Sequence, residues 1–226
     1  MDALLRDLRY ALRTLRKTPG FTFFAVLTLA LGIGATSTIF SVVNTVLLSP
    51  PPYGDPGRLV TVYENDLADG TLEFPVAPAN FYDWQRDARS FSAMAASRNQ
   101  SVNLTGDGDP ERIPGSAVSG NYFQVLGVQP RLGRAFTPEE DAPGAGQVVI
   151  LSDALWRRRF GGDPAILGQS ITLNGRPHTV VGIAPASMRL PSLQTELWTP
   201  LALDEAGRGN RGNHSMGVVA RLAPEP

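Results

Sequence analysis

A long uncharged stretch near the amino terminus dominates the hydropathy pattern of this chain. The 28 residues from Phe21 to Leu48 contain no charged side chain, and about 20 apolar residues are enough to cross a bilayer core. The pattern therefore predicts a transmembrane helix over residues 21–48. A helix of this length rises roughly 42 Å against a hydrocarbon core of about 30 Å, so we expect it to tilt or to project beyond the bilayer.

Residues 1–20 show a different, amphipathic pattern. Leucines recur at helical spacing on one stripe while basic side chains occupy the other faces, which is typical of a helix lying in the membrane interface. The stripe consists of Leu4, Leu8, Leu12 and Leu15. An ordinary basic tail would explain the charge but not the stripe. We therefore predict a cytoplasmic interfacial helix over residues 1–20, which Pro19 and Gly20 end.

The basic residues around the span predict its orientation. Those before it are Arg6, Arg9, Arg13, Arg16 and Lys17, whereas the twenty residues after Leu48 offer only Arg58. Because basic residues mark the cytoplasmic end of a span, we expect a cytoplasmic amino terminus, a single pass through a bacterial inner membrane and a periplasmic remainder. A cleaved signal peptide is the alternative, but its apolar region is shorter and is followed by a small-residue cleavage site that this sequence does not show.

Small residues within the span suggest a surface for helix packing. Ala30, Gly34 and Thr38 are spaced four apart, with Gly32 and Thr36 close by, which matches the small-xxx-small pattern of closely packed membrane helices. We take Ala30, Gly32, Gly34 and Thr38 as candidate packing residues in contact with another membrane helix. The alternative is that glycine is simply common in such helices.

The residues after the proline-rich linker at Pro50–Pro52 alternate between strand and helix patterns. Asn174-Gly175 is the strongest turn signal, because both residues tolerate the positive φ of a type I′ hairpin. Asn80, Asn121, Thr137 and Ser152 are candidate helix caps, and the first of these helices is expected to continue towards Phe91 and Met94. Strands are predicted over 58–64, 101–105, 112–118, 148–151, 170–173, 178–183 and 216–222, and helices over 80–88, 122–126 and 153–160. The mixture predicts an α+β domain over residues 49–226.

Three clusters in this domain allow two interpretations each. Phe81 and Trp84 have the spacing of core residues, or could form a stacking platform for a ligand. The acids at 139–141 suit a helix start, where the macrodipole favours negative charge, or a cation site. The arginines at 157–159 form either a solvated helix face or a grip for an anionic ligand or partner.

Composition and the absence of certain motifs argue against several classes of function. The net charge of −1 argues against nucleic acid as a partner, since phosphate binding needs clustered basic residues. Cysteine is absent and the two histidines, His178 and His214, lack metal-ligand spacing. The sequence has neither the phosphate-binding loop of P-loop ATPases nor a serine nucleophile elbow. We therefore expect no enzymatic activity, no metal and no cofactor, and ATP would have to be bound by another chain.

Three long segments resemble the amino-terminal part of MacB/FtsX-like ABC transporter permeases, especially the duplicated permeases of Acidobacteria. They are LRYALRTLRKTPGFTFFAVLTLALGIGATSTIFSVVNTVLL, SGNYFQVLGVQPRLGRAFTPEED and VVILSDALWRRRFGGDPAILGQSITLNGRPHTVVGIAP. The resemblance implies a first transmembrane helix, a periplasmic core domain and then three further helices, before which this sequence stops. It also implies a mechanical relay: an ATPase dimerises in the cytoplasm and its motion reaches the periplasmic domain.

Two readings follow. The first is a truncated permease subunit of an ABC-type efflux or mechanotransmission system, with an ABC ATPase subunit, a second permease copy or half and the lipid bilayer as partners. The second is an anchored periplasmic binding or adaptor module without transport activity. Because the sequence stops after 216–222, we expect the domain to be incomplete at that end and its last strand to lack neighbours.

Overall fold

In a computed structural model, the chain forms two compact units, residues 1–51 and 52–226. The structure describes residue 6, residue 10, residue 13 and the ranges 15–43, 53–66, 70–106, 108–145 and 147–224. The leucines at 4, 8 and 12, the end of the span at 44–48 and the linker prolines lie outside the described residues.

The first unit is dominated by helix α1, Pro19–Val43. Residues 15–17 are helical as well, and the break between the two helical segments falls at Thr18. The preceding helical segment thus ends just before Pro19, but Pro19 and Gly20 themselves belong to the long helix. Proline has no N–H to contribute and its fixed φ suits a first helical turn, so Pro19 opens the long helix instead.

The second unit is an α+β domain, which confirms the predicted fold class. Its described residues form a nine-stranded sheet and a separate two-stranded hairpin. The strands are β1 Leu59–Val62, β2 Glu64–Asp66, β3 Thr71–Phe74, β4 Phe91–Thr105, β5 Glu111–Val118, β6 Leu132–Gly133, β7 Val148–Leu151, β8 Ser170–Leu173, β9 Arg176–Ile183, β10 Leu197–Pro200 and β11 Gly217–Leu222, and the helices are α2 Pro78–Asp87, α3 Tyr122–Leu126, α4 Asp153–Phe160 and α5 Glu205–Arg208. Single 3₁₀ turns occupy Pro56–Arg58, Pro138–Asp141 and Pro164–Ile166.

Six of these strands close into a small barrel. They pair in the cyclic order β4, β5, β10, β7, β9, β8 and back to β4. The last link is short, since β8 meets β4 only at Leu104 and Thr105. Apolar side chains fill the barrel, and Leu155 and Trp156 of α4 join the same cluster. Helix α4 follows the end of β7, so it packs against the barrel at that end.

The other part of the sheet is open and lies beside the barrel. Strand β4 continues past the barrel, and its first half pairs with β11, which in turn pairs with β1. The expectation that the last strand lacks neighbours is therefore wrong, because β11 has an antiparallel partner on each side. Two further apolar clusters pack on this part of the sheet, one centred on Phe123 and Trp198 and one on Phe81 and Met216.

Two boundaries around α2 differ from the sequence prediction. The helix begins at Pro78 with Ala77 in the N-cap position, so Asn80 lies in the first turn and does not cap it. The side chain of Asn80 instead donates to Glu64 Oε1 at 2.9 Å. The helix also does not continue to Met94, because residues from Phe91 belong to β4. Pairing with β5 and β11 outweighs the helical spacing of the aromatic side chains.

Three other local predictions are confirmed. Ser152 caps α4 by accepting from the Leu155 N–H at 3.0 Å. Asn174 and Gly175 have φ values of 50° and 75° between β8 and β9, as a type I′ hairpin requires. Helix α3 has the predicted bounds and ends at Gly127 in the left-handed conformation. Asn121 stands at its N-cap position, but its side chain donates to Met94 O instead of capping.

Candidate functional site

Helix α1 exposes apolar side chains on every face. Within it, the 23 residues Pro19–Ser41 have a mean hydropathy of 1.9, which is long and apolar enough for a membrane span. Phe21, Leu31 and Ile33 are 65–70% exposed, and together they cover different sides of the helix. A helix that is apolar all round is stable in water only when it is buried, and nothing in the described residues of the first unit buries this one. It needs lipid or another helix.

The small residues of α1 divide into two faces. At about 100° per residue, Ala30, Gly34 and Thr38 lie within a sector of about 80°, but Gly32 lies about 160° away from Gly34. Gly32 instead shares a face with Thr28 and Thr36. The packing role of Ala30, Gly32, Gly34 and Thr38 stays a prediction, and it would involve two faces of the helix.

Both glycines leave open space around the helix backbone. A Cβ atom added at Gly32 or at Gly34 would meet nothing within 4 Å. The hydroxyls of Thr36 and Thr38 donate to the carbonyls of Gly32 and Gly34 at 2.9 and 2.8 Å. Because these hydroxyls are satisfied within the helix, close contact at either face would depend on the small size of its residues rather than on hydrogen bonds to a neighbour.

The basic residues before the span are exposed where the structure describes them. Arg6, Arg13, Arg16 and Lys17 are helical and solvent-facing, and Leu15 is 41% exposed. Arg9 and the rest of the leucine stripe lie outside the described residues. The interfacial position of this segment stays a prediction.

The arginines of α4 bind groups of the domain itself. Arg157 Nε lies 2.7 Å from Asp153 Oδ2, and Arg158 pairs with Glu111 and with Glu196. Arg159 Nη2 donates to the carbonyl of Asp109 at 2.9 Å. The triplet is thus a partly exposed helix face whose guanidinium groups are paired with groups of the domain.

Asp153 is the central group of this cluster. Its carboxylate accepts from Arg157 and from Arg131, at 2.7 Å each. The hydrogen bond from Arg157 holds the pKa of Asp153 below its usual value. The same two guanidinium groups lie 5.5 and 5.7 Å from the ring centroid of Trp156, within the range of a cation–π contact. The cluster fixes α4 on the barrel.

Two of the three acids at 139–141 likewise bind groups of the domain. Glu140 pairs with Arg134 at 2.6 Å, and the hydrogen bond from Arg134 lowers the pKa of Glu140. Asp141 accepts from the backbone N–H groups of Gly120 and Ala202, at 2.9 and 2.7 Å. Among the described residues, no group of three or more His, Asp or Glu side chains could hold a metal ion.

Sequence reasoning missed a polar cavity at one end of the barrel. Its volume is about 320 Å³, and it lies towards the start of β7, away from α4. Gln100, Thr199 and His178 occupy barrel positions that are apolar further along the same strands, and Gln100 Nε2 donates to Thr199 Oγ1 at 2.8 Å. The floor is formed by Val102 and Leu173. A glutamine two residues before the alternating pair Val102 and Leu104 was the available signal.

The two histidines occupy separate places. His178 is at this cavity, where Nδ1 lies 3.0 Å from the carbonyl of Arg176. His214 Nδ1 lies 2.9 Å from Glu64 Oε2, beside the ring of Phe74. They do not form a joint site.

A bilayer-length apolar helix followed by an α+β domain defines a membrane-anchored protein class. Within that class, the family of MacB-like periplasmic core domains matches residues 22–225, and the chain belongs to this family. A macrolide export ATP-binding/permease protein MacB 1/2 from Paracoccus denitrificans is 28% identical over 213 residues, which is 87% of this chain and 30% of that protein. MacB of Burkholderia thailandensis is 35% identical over 71 residues, 31% of this chain and 11% of that protein.

Solved structures share the fold. The periplasmic region of MacB from Actinobacillus actinomycetemcomitans superposes with a TM-score of 0.56 at 17% identity, covering 80% of this chain and 81% of that one. The extracellular domain of the noncanonic ABC-type transporter YknZ from Gram-positive bacteria gives 0.50 at 16% identity, covering 73% and 81%. The chain spans less than a third of the length of the two export proteins named above, and it matches most of the isolated domains.

Proposed function

We propose that this chain is a permease component of an ABC-type efflux or mechanotransmission system, which relays the motion of a separate ATPase to a periplasmic domain. The observation that carries the proposal is the direct succession, in one chain, of a bilayer-length helix and a MacB-like periplasmic core domain. The 226 residues contain no P-loop, and in this proposal ATP is bound by the partner ATPase subunit.

The orientation belongs to the same proposal. The basic residues before the span favour a cytoplasmic amino terminus in the inner membrane, with the domain in the periplasm. Arg6, Arg9, Arg13, Arg16 and Lys17 would then lie at the cytoplasmic interface, where they attract anionic lipid headgroups.

The two faces of α1 fit a helix with neighbours in the membrane. Because Ala30 and Gly34 lie on one side and Gly32 on the other, two helices could approach the backbone closely. A second permease copy or half would supply one of them. An anchor that only tethers a domain needs no such faces.

A second function is an anchored periplasmic binding module, and the barrel cavity is the observation that favours it. A concave site of roughly 300 Å³ with a few polar groups over an apolar floor is typical of small-molecule binding. Gln100, His178 and Thr199 would be its polar contacts.

Purification of the chain from native membranes distinguishes between the two proposed functions. A tagged chain is extracted in mild detergent, and its partners are identified and quantified before and after vanadate is added to trap a hydrolysing ATPase. The relay proposal predicts that a P-loop ATPase is recovered in stoichiometric amount. It also predicts that chemical labelling of the periplasmic domain changes when ATP is present. Recovery of the chain without any P-loop ATPase would rule the relay out and leave the binding module.

Membrane packing is tested in the same preparation. Gly34→Leu should reduce recovery of the second permease copy by filling the small face, whereas Ile33→Leu, at a large apolar position, is the matched control. Equal recovery of partner with both variants would argue against a packing role for this face.

A further inference from the structure

The chain joins the domain beside the last strand. Residues 53–58, here called the joining segment, follow the linker in sequence and run directly into β1. The Gly54 N–H donates to the carbonyl of Leu126 at 3.0 Å, and Arg58 Nε donates to the carbonyl of Leu222 at 3.2 Å. In the β1–β11 pair, Leu59 lies opposite Arg221. The joining segment is thus attached to α3 and to β11 before the first strand begins.

The side chain of Arg221 connects these three elements. Its Nη2 donates to the carbonyls of Gly54 and Val125, at 2.6 and 2.7 Å. Its Nη1 donates to the carbonyl of Asp55 at 3.2 Å, and its Nε to that of Val125 at 3.1 Å. Four donor–acceptor contacts therefore lead from one guanidinium group on β11 to the joining segment and to the end of α3.

The acceptors are backbone carbonyls, which has a mechanical consequence. A carboxylate partner swings on a flexible side chain, whereas a carbonyl moves only with the main chain. Hydrogen bonds from a charged donor are also stronger than neutral ones. The planar guanidinium presents several donors in a fixed fork, so it can hold both backbone segments at once.

Two glycines let these backbones approach each other. A Cβ at Gly54 would lie 3.2 Å from the Cα of Gly127, and one at Gly127 would lie 2.8 Å from the Cα of Gly54. Gly127 is also left-handed, with φ 67°. Side chains at these positions would separate the joining segment from α3 and open the Arg221 contacts.

We propose that Arg221 is a positioning residue that makes the joining segment move with the domain, so that displacement of the membrane span is delivered to the sheet at β1 and β11. The inference rests on the proposed function as a motion relay and names the point at which motion would pass into the domain. Without Arg221, the joining segment would move independently of the sheet and absorb the displacement.

Distance measurements between spin labels test this role in the full chain. The sequence has no cysteine, so pairs of introduced cysteines can be labelled selectively in lipid nanodiscs. Gly57→Cys with Ser101→Cys reports on the joining segment against the domain; a Cβ at Gly57 meets nothing within 4 Å. Asp87→Cys with Ser101→Cys reports on the domain alone, and both of those positions are exposed.

Arg221→Gln should broaden the distance distribution of the first pair about twofold by local release of the segment, and leave that of the second pair unchanged. Arg221→Lys should broaden it less, because an ammonium group keeps the charge but not the fork. Arg112→Gln is the matched control, because the exposed side chain of Arg112 makes no hydrogen bond or ion pair to any described residue.

Two results would overturn the inference. An unchanged first pair would show that the other contacts hold the segment without Arg221. Broadening of both pairs in Arg221→Gln and in Arg221→Lys would show that Arg221 only supports the fold. Neither measurement needs an ATPase, so absence of a motion relay would be recognised separately, by failure to recover an ATPase with the chain.

Discussion

Helix α1 and the barrel are both rich in apolar residues, but only the barrel buries them within the described chain. Ile33 of α1 is 65% exposed, whereas Ile113 and Val149 of the barrel are fully buried. The barrel strands pair in a closed cycle, so the barrel both forms its backbone hydrogen bonds and buries its apolar side chains. Helix α1 satisfies only its backbone. The barrel therefore buries its apolar side chains without a partner, whereas α1 needs lipid or another helix to cover its own.

The largest effect is expected from a cavity in the domain. Phe123 is fully buried and packs edge-to-face on Trp198 at 5.7 Å, so Phe123→Ala should lower the free energy of unfolding by about 3–5 kcal/mol. Urea denaturation followed by tryptophan fluorescence measures it. Leu72→Ala, at a side chain 69% exposed, is the control and should change little. Equal effects would mean that the cluster is not a packed core.

A charged side chain in α1 should leave the folded domain intact but reduce insertion of the helix into the membrane. Ile33→Arg places a guanidinium near the middle of the span, which costs about 2.5–3.5 kcal/mol of insertion free energy. Carbonate extraction of membranes reports the inserted fraction, with Ile33→Leu as the matched variant. If Ile33→Arg inserts as well as Ile33→Leu, α1 does not face lipid at this position.

A smaller effect is expected at the start of α4. Ser152→Ala removes the cap that accepts from the Leu155 N–H, and such a loss costs about 1 kcal/mol. Urea midpoints of Ser152→Ala and of the exposed control Ser101→Ala should differ accordingly. Coincident midpoints would show that water replaces the cap without cost.

The smallest effect depends on pH. Asp153 has a lowered pKa in the folded state through Arg157, so its contribution is present above the pKa of the unfolded chain and is lost as the pH falls through the folded pKa. Asp153→Asn should therefore be less stable than the natural chain at pH 7 by at most about 1 kcal/mol, since the arginines are half exposed. The difference should close between about pH 5 and pH 2. A gap that is independent of pH would show that ionisation of Asp153 is irrelevant.

Local signals in the sequence predicted the parts of the fold that depend on few residues. The Asn174-Gly175 hairpin, the Ser152 cap and α3 follow from turn and cap chemistry that neighbouring residues decide. The short strands β6 and β10 were missed because their pairing is long-range. Strands β2 and β3 were missed as well, although they pair with each other as a local hairpin. Strand β10, for example, pairs in parallel with β5 and antiparallel with β7, and no local pattern marks either contact.

The candidate site shows the same division. Spacing along α1 suggested the small residues as packing candidates, and helical geometry is needed to place Gly32 on a different face from Gly34. The arginine triplet was visible as a charge run, whereas its partners Glu111 and Glu196 are distant in sequence. The Arg221 contacts reach positions 96 and more residues away, so they could be found only in three dimensions.

Strand β4 joins the open sheet to the barrel. Its 15 residues belong to the open sheet with β11 at one end and to the barrel at the other, so the three apolar clusters share one continuous piece of backbone. Unfolding of either part would therefore also disrupt the pairing of β4 in the other part. Heat should therefore convert the domain in a single two-state transition, without a half-folded species in which one cluster survives alone.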